Sequence, residues 1–213
     1  MACGSKTEDC LDTNEDFRRP LAEYVRTQAR PVDKLGHQPR LYRLTRLIGR
    51  ACDYDDDVVY AAAWLHDLGV FIGHRPEDPA ALAGWDNVGY AIEQAPAILR
   101  RVGFPAEKIP AVLEAIRTHQ PQATPETWEG IVLRDADILE QLGAIAVLRI
   151  AAKIGRDTRY STFTDAASSL RKALEDLPGK IRLDIARDLA KPRVELLREF
   201  LRELDDEAQA DLG

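Results

Sequence analysis

Residues 61–70 read AAAWLHDLGV, an apolar helical run that ends in a histidine and an aspartate side by side. The preceding DDDVVY supplies carboxylates for a helix N-terminus, and Gly69 supplies a natural stop. His66 and Asp67 therefore belong to the last turn of a helix that the sequence predicts to be central. A carboxylate there has no reason to be buried unless a positive group meets it.

Helical periodicity runs through nearly every other segment, and strict apolar–polar alternation is almost absent. The first half of the chain divides into predicted helices over residues 15–30, 38–52, 55–68, 88–102 and a segment ending near residue 119. The long loop 71–87 is a candidate wall of a site. We therefore predict an all-α fold.

The second half continues the pattern. Thr124 and Pro125 suit a cap and first helical residue, and the long apolar run after them extends to residue 154, with Gly143 as a point of close packing or a break. The final third reads as two or three amphipathic helices, interrupted near residues 177–180 and at Pro192.

The composition suits one globular domain. The chain has 213 residues, 45% of them hydrophobic, which is enough for a sizeable core. We expect a single helical domain over residues 16–207, a disordered N-terminus over 1–15 and a short tail over 208–213. The net charge of -7 argues against a large nucleic-acid-binding surface, although a local positive site can still bind a small anion.

The cysteine content and the hydropathy of the chain indicate the cellular compartment. Cys3, Cys10 and Cys52 are an odd number without metal-ligand spacing, so a disulfide scaffold is not expected. The first residues lack the apolar core of a signal peptide, and no stretch is long and apolar enough to cross a bilayer. We expect a cytoplasmic protein with no membrane or nucleic-acid partner.

Five polar residues recur at the ends or on the apolar faces of predicted helices. They are His37, His66, Asp67, His119 and Asp137, and they include three of the four histidines in the chain. Singly, each has an ordinary explanation as a helix cap, a helix-end cation or a hydrogen-bonded core residue. Two imidazoles and two carboxylates together suit a divalent first-row metal with open positions for water and substrate.

The order His37, His66-Asp67 and Asp137, the last within IVLRDADILEQLGAIAVLRI, resembles the HD-domain metal-dependent phosphohydrolase superfamily. The resemblance extends through the C-terminal helices, which look like those of a small bacterial branch that includes nucleotide pyrophosphatases. It implies a compact multi-helix bundle with a metal site between central helices.

The resemblance also implies roles for individual residues. His37, His66, Asp67 and Asp137 match the ligands of one divalent metal ion, with Mn, Fe, Co, Ni, Zn and Mg not distinguished. Asp67 would also accept a hydrogen bond from the attacking water. His119 matches a histidine that some members use for a second metal or for substrate, and we expect it to contact the substrate or to protonate the leaving oxygen. Asp135 is expected in the second shell of the metal, with a local cap or salt bridge as the alternative.

A phosphorylated substrate also needs fixed cations. Arg40 matches an arginine common after the first histidine in the family, and Lys34 and Arg117 are the other candidates near His37 and His119. For Lys34 and Arg117, an ordinary surface charge is the competing interpretation.

Three functions remain open from the sequence. The first is a phosphohydrolase that cleaves a phosphate ester or anhydride of a small molecule such as a nucleotide. The second is an HD-type di-iron oxygenase, although a further histidine of two-metal relatives is missing. The third is a non-catalytic HD module that binds a nucleotide or a partner. A homodimer is compatible with each of them.

Overall fold

The computed structural model describes residues 17–31, 34–156, 160–209 and 211–212. Within these ranges the secondary structure is ten α-helices and short 3-10 turns, without a β-strand. The predicted all-α fold is therefore confirmed. The expected disordered segment 1–15, with Cys3 and Cys10, lies outside the described residues.

The helices follow one another along the chain in two groups of five. The first five are α1 (Arg18–Gln28), α2 (His37–Ile48), α3 (Asp56–Leu65), α4 (Pro79–Ala83) and α5 (Asn87–Arg101). The next five are α6 (Ile109–Arg117), α7 (Trp128–Glu140), α8 (Ala144–Ala151), α9 (Phe163–Asp176) and α10 (Asp184–Ala208). None of them is both long and apolar enough to span a bilayer.

Helix α3 is the central element. The Asp55 carboxylate accepts from the backbone N–H groups of Asp57 and Val58, so the first carboxylate of DDDVVY caps the helix as predicted. Every residue of α3 from Asp57 onward is buried, and the helix packs against α1, α2, α5, α6 and α7. Its C-terminal end, which carries His66, therefore lies in the interior.

The other two carboxylates of DDDVVY take part in ion pairs at the opposite end of α3. Arg18 contacts Asp56 at 2.9 Å and Asp57 at 2.7 Å, and Lys108 contacts Asp57 at 3.1 Å. These pairs fix the start of α3 against α1 and the turn before α6.

Three predicted boundaries are wrong. Helix α7 begins after Thr127, whose hydroxyl accepts from Gly130 N, and does not begin at Thr124 and Pro125. The loop 71–87 contains the short helix α4. Pro192 lies inside α10 without ending it, because Ala190 and Leu197 are buried on either side and their packing outweighs one lost hydrogen bond.

The break at Gly143 positions the neighbouring helix. Gly143 has a φ of 79°, which favours glycine, and an added Cβ would lie 3.0 Å from Arg193 Cβ. The chain turns here between α7 and α8, so that α8 lies beside the C-terminal end of α7. The interruption near residues 177–180 is also present, as a 3-10 turn over Pro178–Lys180.

Candidate metal centre

The ends of three helices bring the predicted ligands together. His37 is the first residue of α2, His66 and Asp67 follow the last residue of α3, and Asp137 lies in α7. Helices α2, α3 and α7 all pack on one another. Four side chains from distant parts of the sequence therefore meet in one place.

The ligand atoms lie within a few ångströms of one another. His37 Nε2 is 3.1 Å from His66 Nε2, 3.4 Å from Asp137 Oδ1 and 3.7 Å from Asp67 Oδ2. His66 Nε2 is 3.6 Å from Asp67 Oδ2. Both imidazoles are buried, at 4% and 1% exposure, while Asp67 remains partly open to the surface.

The hydrogen bonds of the Nδ1 atoms assign the tautomers of the two imidazoles. His37 Nδ1 lies 3.3 Å from Glu140 Oε2, and His66 Nδ1 lies 3.0 Å from the carbonyl of Ala63. Because each acceptor is an oxygen, Nδ1 is the donor in both rings, and Nε2 carries a lone pair wherever the ring is neutral. Two lone pairs 3.1 Å apart repel each other unless a cation or a proton lies between them.

The electrostatics favour a cation at this point. Burial opposes ionisation of Asp67, but the charges of His66 and His37 outweigh it and lower the pKa of Asp67 to about 2. Burial likewise opposes ionisation of Asp137, and the hydrogen bond with His37 holds its pKa well below the usual range. Burial lowers the pKa of His66 to about 4, so this imidazole is neutral at pH 7. Burial opposes protonation of His37, but its hydrogen bonds with Asp137 and Glu140 raise its pKa, so a metal would displace a proton from His37 while finding His66 neutral and both carboxylates ionised.

The spacing also fits a metal. Two nitrogens bonded at about 2.1 Å to one ion in perpendicular directions lie about 3.0 Å apart, close to the observed separation of the Nε2 atoms. Among the described residues, His37, His66 and Asp67 form a cluster whose ligand atoms lie within 4.8 Å of one another. This cluster could hold a divalent ion, and Asp137 Oδ1 faces it beside His37.

His119 lies next to this cluster. It is buried at the end of α6, its ring centre is 4.9 Å from that of His66, and its Nδ1 donates to the carbonyl of Ile116 at 2.6 Å. Its Nε2 is therefore the basic nitrogen as well. His119 stands close enough to serve either as a further ligand or as a proton donor.

Asp135 and Arg117 lie apart from the cluster. Asp135 Oδ2 accepts from the backbone N–H groups of Arg182 at 2.9 Å and Leu183 at 2.7 Å, at the start of α10. The expected second-shell position thus does not match its contacts, because residues two apart on a helix point about 200° from each other. Arg117 is exposed and pairs with Glu114 on the same turn, which agrees with an ordinary surface charge.

Glu140 is a site residue that the sequence analysis missed. It is 2% exposed, accepts from His37 Nδ1, and contacts Arg40 Nη2 at 3.0 Å and Nε at 3.1 Å. It lies three residues after Asp137, on the same face of α7, which is the one signal that could have revealed it. Gln141 was missed too, and its side-chain amide donates to Asp137 Oδ2 at 3.0 Å.

A cavity of about 380 Å³ opens onto His37 and Asp67. Four cationic side chains line it: Lys34, Arg40, Arg149 and Lys153. Arg149 and Lys153 come from α8 and the turn after it and were not predicted. Ile145 and Leu148 give the wall formed by α8 an apolar surface.

Comparison with known proteins shows the family of this chain. A family model of the HD domain matches residues 35–142, and the chain belongs to this family. The match contains all four predicted metal ligands and His119. The resemblance to the HD-domain superfamily is thereby confirmed.

Solved structures share the fold. A predicted HD superfamily hydrolase from an uncultured Thermotogales bacterium is 24% identical, with a TM-score of 0.61, 89% of this chain and 91% of that chain covered. Bacillus subtilis YpgQ in complex with ADP is 22% identical, with a TM-score of 0.64 and coverage of 92% and 100%.

A curated relative is ribonuclease Y of Desulforudis audaxviator. It is 24% identical over 179 residues, which are 82% of this chain. The chain spans about a third of the length of that protein, since the match covers 32% of it.

The first prediction concerns the role of the buried histidines. The variant His37→Ala should lose bound divalent metal, because it removes one of two imidazoles whose Nε2 atoms converge. The variant His74→Ala is the matched control, since His74 lies outside the cluster and bonds to Tyr90 and Gln28. Elemental mass spectrometry measures the metal content of each purified variant. Equal metal content in His37→Ala and His74→Ala would contradict the assignment of His37 as a metal ligand.

The second prediction concerns Glu140. Glu140→Gln preserves the shape of the side chain but removes the charge that orients His37 and Arg40, so metal affinity should fall about 10- to 100-fold. Metal titration monitored by competition with a chelating dye measures this change. Glu114→Gln, on an exposed turn, should leave the affinity unchanged. An unaltered affinity in Glu140→Gln would show that His37 needs no anionic partner.

Proposed function

We propose that the protein is a metal-dependent phosphohydrolase that cleaves a phosphate ester or anhydride of a small molecule, with nucleotides as the favoured substrate class. The observation that carries this proposal is the cationic cavity, which opens directly onto His37 and Asp67. A group of metal-ligand residues alone would suit many reactions, whereas four cationic side chains beside it favour a phosphate-bearing substrate.

One divalent ion held by His37, His66, Asp67 and Asp137 would make hydroxide available near neutral pH and neutralise phosphoryl charge. Asp67 is the carboxylate ligand that lines the cavity, beside His37, so it can also accept a hydrogen bond from the attacking water. Glu140 and Gln141 keep His37 and Asp137 in position.

The charge balance of the cavity supports an anionic substrate. Glu140 is shared between Arg40 at 3.0 Å and Arg149 at 3.8 Å, so one carboxylate faces two guanidinium groups. One of the two guanidinium charges is therefore not balanced by Glu140 and is available to an anionic ligand. Guanidinium groups bind phosphate oxygens through paired hydrogen bonds, which suits Arg40 and Arg149 to this task.

The proposed proton donor is His119. Its Nδ1–H is engaged by the carbonyl of Ile116, so proton exchange would occur at Nε2. In this proposal His119 protonates the leaving oxygen.

Relatives support the nucleotide proposal. YpgQ was crystallised with ADP, and the apolar wall of Ile145 and Leu148 would suit a nucleoside beside the cationic groups. The ribonuclease Y relationship makes a short RNA a useful competitor in any assay. We retain the expectation of a small-molecule substrate in the cytoplasm.

The direct test is an activity screen. Metal-loaded protein should release phosphate or pyrophosphate from a panel of nucleotides and sugar phosphates, and Asp137→Ala should release none. Two irons with oxygen consumption would favour the oxygenase instead. Metal without turnover would favour the binding module, and cleavage of RNA alone would contradict a small-molecule substrate.

The third prediction separates cavity cations from surface cations. Arg149→Gln should raise KM for the best substrate about tenfold, the effect of losing one hydrogen bond to a charged group, with a smaller change in kcat. Arg117→Gln should leave both constants within about twofold. Steady-state kinetics measure both variants. A larger effect of Arg117→Gln than of Arg149→Gln would indicate that the substrate binds near Arg117 and not in this cavity.

The fourth prediction concerns His119. His119→Ala should retain its metal and lose about 100-fold or more in kcat, because the proton donor is gone. Substrates with acidic leaving groups need less protonation and should lose much less. A uniform loss across leaving groups, or loss of metal, would instead make His119 a ligand of a larger site.

A further inference from the structure

A second cavity, of about 410 Å³, lies outside the metal centre. It is formed by the C-terminal half of α2 and the turn that follows, and three arginines line it: Arg43, Arg46 and Arg50. It shares no lining residue with the cavity over His37 and Asp67. Nothing in the proposed reaction uses it.

The charge in this second cavity is largely uncompensated. In the described part of the chain, Arg43 and Arg50 have no ion-pair or hydrogen-bond partner, and both are exposed. Arg46 lies 3.7 Å from Asp56, but that carboxylate already accepts from Arg18 at 2.9 Å. Three guanidinium groups side by side are unexpected on a chain with a net charge of -7.

One wall of the second cavity is aromatic and held in place. Tyr54 packs so closely on Gly49 that an added Cβ would lie 2.5 Å from Tyr54 Cε1. The Tyr54 hydroxyl bonds to Asp56 at 3.4 Å. The ring therefore stands fixed beside the arginines, with Leu47 adding apolar surface.

We propose that the second cavity binds a phosphate-bearing anion between the size of inorganic phosphate and a mononucleotide. Guanidinium groups match phosphate oxygens in geometry as well as charge, and the volume is within the range of small-ligand sites. The partial negative charge at the C-terminus of α2 also favours positively charged side chains there. That effect explains the presence of the arginines but not the aromatic wall. The proposal is independent of what the metal centre hydrolyses.

The test is a titration of the metal-loaded full chain followed by amide chemical shifts. The two probes are inorganic phosphate and the methylene phosphonate analogue of AMP, whose P–C bond resists hydrolysis. Resonances of residues 43–54 should shift and saturate for at least one probe. Arg43→Gln combined with Arg50→Gln should weaken this response at least about tenfold and leave shifts around residues 144–153 unchanged.

Two controls separate a site from general attraction. Arg198→Gln combined with Arg202→Gln removes the same charge from exposed positions of α10 and should preserve the response. Asp137→Ala should also preserve it, because the second cavity needs no metal. The proposal is overturned if residues 43–54 show no saturable shift, if both double variants weaken it equally, or if it disappears with the metal.

Discussion

The rest of the site depends on two imidazole nitrogens that face each other at 3.1 Å in the interior, flanked by two carboxylates. Their Nδ1 atoms bond to Glu140 and Ala63, and burial keeps His66 neutral, so the Nε2 of His66 presents a lone pair that needs a proton or a cation opposite it. A shared cation resolves the repulsion and justifies burying Asp137. This arrangement explains why the apolar helix α3 ends in a histidine and an aspartate.

Packing supplies the precision that this arrangement needs. Helix α3 is buried along almost its whole length, so its end cannot shift without disturbing α2, α6 and α7. Glu140 and Gln141 then orient individual ligands from the adjacent turn of α7. Glu140 also joins the metal cluster to the cationic cavity, because it contacts His37 on one side and Arg40 on the other.

The sequence predicted the features that depend on neighbouring residues or on a short motif. The apolar run before His66 predicts a buried helix, and the order of histidines and aspartates predicts the ligands. The sequence does not distinguish Glu140 from the surface carboxylates, because its burial depends on contacts with α2, about a hundred residues earlier in the chain. Arg149 reaches the cavity because the chain turns at Gly143, and sequence spacing does not reveal that direction. Arg117 is close to His119 in sequence but pairs with Glu114 on the surface, which agrees with the competing interpretation as an ordinary surface charge.

Anomalous X-ray diffraction from crystals of the full chain grown with manganese would show whether a metal ion lies between the two imidazoles. We expect one strong anomalous peak in contact with the Nε2 atoms of His37 and His66 and with the carboxylates of Asp67 and Asp137. A peak elsewhere, or none between the two imidazoles at full manganese loading, would contradict it.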